Sequence, residues 1–358
     1  MAVTDSQLIS WMSHASGPIR GAALDLLTSS FSEDPRILNA IFEAWDRYGP
    51  DSAFHDFPLI SHLPIPADRV PECLERAAAM SAGRALADRV CRCAGKLIEA
   101  LSISPVSFFA PHLDAIEALK KSSKIFFRVS IDSMRERATA LQRATDSLDR
   151  DFEDGHPIDI VIALESLYRR GEAGERITQG LRELTDETSR SPLAIAVLEL
   201  ASRHPLVGFE EELFPLVDLA DASLADPATI ALVRCRNARV QTLIAERFPT
   251  LSRSGQLRCV EIVQRARLPK GAELLRFLLP HGQEFHIQDA MRVAEILVFD
   301  FTWLEEWLEA LLLIEDSALR RVLWAIPLAE PLAVQMVPDE WPRVRQLIRS
   351  RVGTSYFA

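Results

Sequence analysis

Between Ser16 and Tyr48 the apolar positions fall at helical spacing twice over. Ile19, Ala23, Leu26 and Leu27 share a face in the first run, and Ile37, Leu38, Ile41 and Trp45 share one in the second. The polar break Ser32-Glu33-Asp34-Pro35 separates them. The pattern predicts two amphipathic helices folded into a hairpin. Such a hairpin leaves apolar surface uncovered, so it requires neighbours of its own kind.

The same alternation continues along the chain. Helix starts are expected where Ser or Asp precedes Pro, at Asp34-Pro35, Ser104-Pro105, Ser191-Pro192 and Asp226-Pro227. Stops are expected at Gly49-Pro50, Gly155, Gly171 and Gly174. These marks predict helices over roughly 4–15, 18–31, 35–48, 67–80, 84–102, 105–119, 123–153, 157–170, 173–188 and 192–203. Further ones are expected over roughly 209–220, 227–247, 252–266, 270–279, 284–298, 301–313, 316–325 and 339–351. Pro50–Pro66, rich in proline and aromatics, reads as an ordered connection. The helix over 123–153 carries a coiled-coil-like seam of Met134, Ala138, Leu141, Thr145, Leu148 and Phe152, for an array helix or a dimer seam. Its acidic end at Asp149–Gly155 is the domain-boundary candidate. It divides the chain into helical-repeat halves 1–155 and 156–358, unless one continuous solenoid runs through.

Composition agrees with helices. Aromatics are 7% of the 358 residues and there are only 14 glycines, too few for a fold of many tight β-turns. The expected fold is all-α, an irregular superhelical stack of antiparallel helix pairs. A net charge of −11 opposes binding of a phosphate backbone by the chain as a whole. Five cysteines without scaffold spacing read as reduced thiols in a cytoplasmic protein. Met1 to His14 lacks the basic-then-apolar order of a signal peptide. The apolar stretches at 293–301 and 307–314 fall short of the about 20 residues that span a bilayer, so no membrane is expected.

Ile19-Arg20 followed by Ala22-Ala23, and Asp34-Pro35-Arg36-Ile37-Leu38 with Ala40-Ile41, resemble the two helices of a HEAT-type repeat. Looser echoes occur from Leu257-Arg258 to Leu279 and from Ser317 to Ile326. The resemblance implies a curved α-solenoid whose concave face binds a partner. Some HEAT-like proteins are DNA-repair glycosylases, which leaves nucleic acid open as a partner.

No phosphate-cradling glycine loop, HExxH or GxSxG motif occurs. His55-Asp56 is similar to the His-Asp pair of helical metal-dependent phosphohydrolases, which His14 and Asp88 or Asp114 would complete; a loop or capping role is the alternative. Cys91 and Cys93, two apart on a helix, point to different faces and do not chelate together. Asp149, Asp151 and Glu153 alternate as in a calcium loop, but Asp154 and Ile160 stand where glycine and glutamate are needed. Trp303, Trp307, Trp324 and Trp341 read as core. They would serve as a stacking or peptide-gripping surface only if exposed.

One segment departs from the acidic balance. Pro227 to Lys270 holds nine cations, Arg234, Arg236, Arg239, Arg247, Arg253, Arg258, Arg265, Arg267 and Lys270, against Glu246 and Glu261. Either these arginines pair with acids of neighbouring helices such as Glu210, Glu211, Glu212 and Asp218, or they form an anion or partner strip. The candidate strip residues are Arg234, Arg236, Arg239, Arg258, Arg265 and Arg267. The expected function is a non-enzymatic protein-binding scaffold, with no cofactor, metal or catalytic residue. The alternative is polyanion or nucleic-acid binding through 234–270, and the third reading is a metal hydrolase using His55 and Asp56.

Overall fold

The first hairpin forms as its pattern predicts. In the computed structural model, Gly17–Ser29 (α2) buries Ile19, Ala23, Leu26 and Leu27, and Arg36–Tyr48 (α3) buries Ile37, Leu38, Ile41 and Trp45. Asp5–Trp11 (α1) packs on both. The structure describes residues 4–54, 63, 65–82, 88–122, 127–145, 157–185, 191–268, 334, 339 and 341–352. The fold is all-α: every regular element among these residues is helical and packs on other helices.

The chain forms two compact units, Asp5–His204, and Pro205–Ala358 with Met1–Thr4. The first unit continues through Val70–Ser81 (α4), Arg89–Ile103 (α5), Val106–Phe109 (α6), Leu113–Ser122 (α7), Arg128–Thr145 (α8), Pro157–Arg170 (α9), Gly174–Thr185 (α10) and Pro192–Arg203 (α11). Consecutive helices pack on each other, α4 on α5, α8 on α9 and α10 on α11. The expected junction near residue 155 falls outside the described residues. The helices on either side of it, α8 and α9, lie together in the first unit. Of the seam on α8, Met134 and Ala138 are buried, while Leu148 and Phe152 lie outside the described residues.

The second unit contains Glu210–Leu213 (α12), a 3-10 turn over Phe214–Asp218, Ala222–Cys235 (α13), Ala238–Arg247 (α14), Arg253–Ala266 (α15) and Trp341–Val352 (α16). Phe214, Leu216, Val217, Leu232, Leu243, Phe248, Val260 and Ile262 form its core. Trp341 is buried there, and Trp303, Trp307 and Trp324 lie outside the described residues.

The Ser/Asp-Pro starts divide evenly. Asp34 Oδ1 accepts from the Arg36 N–H at 3.0 Å, and Ser191 Oγ accepts from the Ala194 N–H at 3.1 Å, so both cap. Ser104 does not: its hydroxyl donates backward to the Ala100 carbonyl at 3.0 Å. Asp226 does not either. Helix α13 starts five residues earlier, where Asp221 Oδ1 accepts from the Ser223 N–H at 2.9 Å, and Pro227 lies inside it. Proline's φ suits a helix, and one turn in it forfeits a single backbone bond. The expected helix 227–247 is therefore two. Arg236, at φ 45°, ends α13, and Asn237 Oδ1 accepts from the Val240 N–H to start α14. Gly174 opens α10 rather than ending a helix.

Candidate functional site

The arginines of the basic segment sit on α13, α14 and α15 of the second unit. Arg258, on α15, points back into the unit. Its Nη1 donates to the Leu219 carbonyl at 2.8 Å and the Val217 carbonyl at 3.0 Å, and its Nε lies 3.5 Å from Asp226. Those carbonyls end the turn over Phe214–Asp218, where no further helical partner follows. Arg265 pairs with Glu261 one turn earlier at 2.8 Å. Both side chains are mostly covered, at 15% and 16% exposure.

Arg239 and Arg247, on α14, differ. Both reach Glu211 of α12, Arg239 at Oε1 and Arg247 at Oε2, the latter at 2.9 Å. The Arg247 guanidinium also stands 5.6 Å from the centre of the Phe214 ring. These three side chains are 40–47% exposed. Arg234, Arg236, Arg253 and Arg267 each hold contacts of their own. Arg267, at φ 54°, ends α15. Lys270 lies outside the described residues. Of the acids expected to meet the strip, Glu211 does so. Glu210 turns to Asn237 and the Gly208 N–H, and Asp218 turns to Ser252.

A second polar cluster, in the first unit, was not anticipated. Arg137 of α8 and Glu165 of α9 are both buried. Arg137 donates to the Ser102 carbonyl and, at 3.2 Å, to the Ser104 carbonyl, which terminate α5. Its Nη2 lies 3.9 Å from Glu165 Oε2. Glu165 Oε1 meets His204 Nε2 at 3.0 Å, and the His204 ring packs 5.3 Å from that of Tyr168. Arg203 pairs with Glu199 beside them. Burial, assisted by the Arg203 charge, pushes Arg137 down to about 10, so it remains a cation at neutral pH. Burial alone would raise Glu165. The His204 hydrogen bond and the electrostatic interactions with His204, Arg137 and Arg203 outweigh it and hold the carboxyl below its ordinary range. The available signal was a charge at an apolar-face position: Arg137 follows Met134 by three, and Glu165 follows Ile162 by three. Which partner each finds is not written locally.

Arg20 repeats the carbonyl-gripping motif. Buried in α2, it donates to the carbonyls of Ala53 at 2.5 Å, His14 at 2.6 Å, Ala15 at 2.8 Å and Ser52 at 3.2 Å, and it stacks 3.7 Å over the Tyr48 ring. The arginine of the HEAT-like wording is thus a clamp between the start of α2 and the end of α3.

His55 and Asp56 lie outside the described residues. Of the residues nominated to complete their set, His14 Nδ1 accepts from the Ser16 N–H, and Asp88 caps α5 by accepting from the Val90 N–H at 2.8 Å. Among the described residues no three His, Cys, Asp or Glu side chains converge as a metal set. All five cysteines are buried and none forms a disulfide; burial pushes the thiols of Cys73, Cys93, Cys235 and Cys259 up, Cys93 to about 11 and Cys73 to about 12. Among the described residues no single helix is long and apolar enough to cross a membrane. No protein-family model, curated protein or solved structure matches the chain.

Proposed function

We propose that this protein is a non-enzymatic, cytoplasmic binding scaffold, a HEAT-like stack of helix pairs that presents a surface to another protein. The observation that carries the reading is the fate of the basic segment. Arg258 and Arg265 are spent inside the second unit, on the Val217 and Leu219 carbonyls and on Glu261, instead of lining an open track. A phosphate backbone needs a row of available cations. An arrayed helical surface serves protein recognition without one.

The test is affinity purification of the full chain from its native host, with mass spectrometry of bound protein and nucleic acid. Reproducible recovery of the same proteins, with no shift of a duplex oligonucleotide at low salt, is the expected result. Oligonucleotide binding that falls steeply with salt and disappears in Arg239→Glu with Arg247→Glu would replace the scaffold reading by the polyanion one.

A further inference from the structure

The geometry points to a masked phosphate-recognition fork on the second unit, formed by Arg239 and Arg247 and occupied by the carboxylate of Glu211. Its ligand is a phosphorylated side chain of a protein partner. The inference rests on the protein-binding reading above and gives that partner a chemistry.

Two guanidinium groups on one helix, α14, converge on the two oxygens of a single carboxylate. Two guanidinium groups share the single carboxylate of Glu211. A phosphate ester, close to a dianion at neutral pH with three acceptor oxygens, balances both arginines and offers each a charge-assisted bond. Phe214 lies under Arg247 and holds that prong in place without neutralising it.

Exposure decides which arginines are exchangeable. Arg239, Arg247 and Glu211 are open to water, and ion pairs in that setting hold weakly. Glu211 can swing aside without uncovering core. Arg258 and Arg265 are largely covered, and release of Arg258 would leave the Val217 and Leu219 carbonyls without its guanidinium. Of Arg239, Arg247, Arg258 and Arg265, the exchangeable pair therefore forms a two-pronged point. A nucleic-acid strand binds through several spaced phosphates, whereas two arginines on one oxyanion is the scale of phospho-motif recognition.

The experiment uses the full chain with Glu211→Gln, which keeps the side-chain size and removes the competing charge. Isothermal titration would use a phosphoserine flanked by glycines, its unphosphorylated twin, inorganic phosphate and single-stranded oligothymidine. Glu211→Gln is expected to bind the phosphopeptide about tenfold more tightly than the native chain and not to bind the twin. Inorganic phosphate should compete. Adding Arg239→Gln or Arg247→Gln should abolish the gain. No gain in Glu211→Gln, or a gain that survives loss of both arginines, overturns the fork. Tighter binding of oligothymidine than of phosphopeptide overturns the assignment to a side chain. Circular dichroism checks that the variants fold, and Glu211→Ala repeats the test if Glu211→Gln does not. Titration does not depend on partner capture: empty purifications with a positive titration remove the scaffold reading and reduce the fork to a phosphate site with no protein partner, and captured partners with a negative titration overturn the fork alone.

Discussion

A Cβ on Gly255 would stand 2.2 Å from Asp218 Oδ1. That oxygen accepts from the Ser252 N–H at 2.8 Å and the Ser252 hydroxyl at 2.5 Å, so it sits at the start of α15. In return, Arg258 of α15 grips the carbonyl end of the turn that carries Asp218. An acid at a helix start and a cation at a helix end each oppose the local dipole favourably. Residue 255 must lack a side chain for the first contact to exist. Gly255→Ala should therefore cost about 2 kcal/mol, from overpacking and loss of the cap together. Urea unfolding followed by circular dichroism measures it, and a midpoint unchanged from the native chain would contradict the account.

The buried pair in the first unit sets a pH dependence. Glu165 is held below its ordinary value of 4.5 in the folded chain. Its contribution is therefore present above about pH 4.5 and fades as pH falls through the lower folded value. Glu165→Gln should flatten that acid limb. At neutral pH it should cost about 3 kcal/mol, because Arg137 is left buried without its carboxylate. Stability measured across pH 3–7 in both proteins decides it.

Arg20 donates to four carbonyls while stacking on Tyr48, a geometry that a single ammonium does not reproduce. Arg20→Lys should destabilise by about 2 kcal/mol despite keeping the charge. A thermal melt matching the native one would show that charge alone suffices.

Arginines of the basic segment should separate by exposure. Arg239→Ala should change stability by no more than about 0.5 kcal/mol, as for open ion pairs. Arg258→Ala, which orphans the Val217 and Leu219 carbonyls, should cost about 2 kcal/mol. Equal effects in denaturant titrations would break the distinction on which the fork depends.

Gly171 has φ 76° at the end of α9, and nothing lies within 4 Å of a Cβ built there. The cost of Gly171→Ala is then purely that of the left-handed backbone, about 1 kcal/mol. Phe31 and Arg267 take the same conformation at other helix ends, with the same backward backbone bonds, Ser32 to Leu27 and Leu268 to Val263. They show that the chain uses this stop without always using glycine.

The sequence by itself determined the all-α class and the faces. Spacing alone placed Ile19, Leu27, Ile37, Leu38 and Trp45 inside, because burial of an amphipathic stripe follows from a local period of 3.6. It also placed α11 residue by residue, since Ser191 and Pro192 act within one turn. Tertiary structure decided what the polar groups do. Ser104 and Ser191 precede proline alike, yet only one caps, because the other finds Ala100 at the end of the preceding helix. Whether Arg239 lies open or Arg258 lies covered depends on Glu211, Val217 and Leu219, residues 28 to 41 positions away. The pairing of Glu165 with Arg137 and with His204 likewise joins helices that only packing brings together. A helix needs partners three or four residues along the chain, whereas a buried charge needs whichever neighbour the fold delivers.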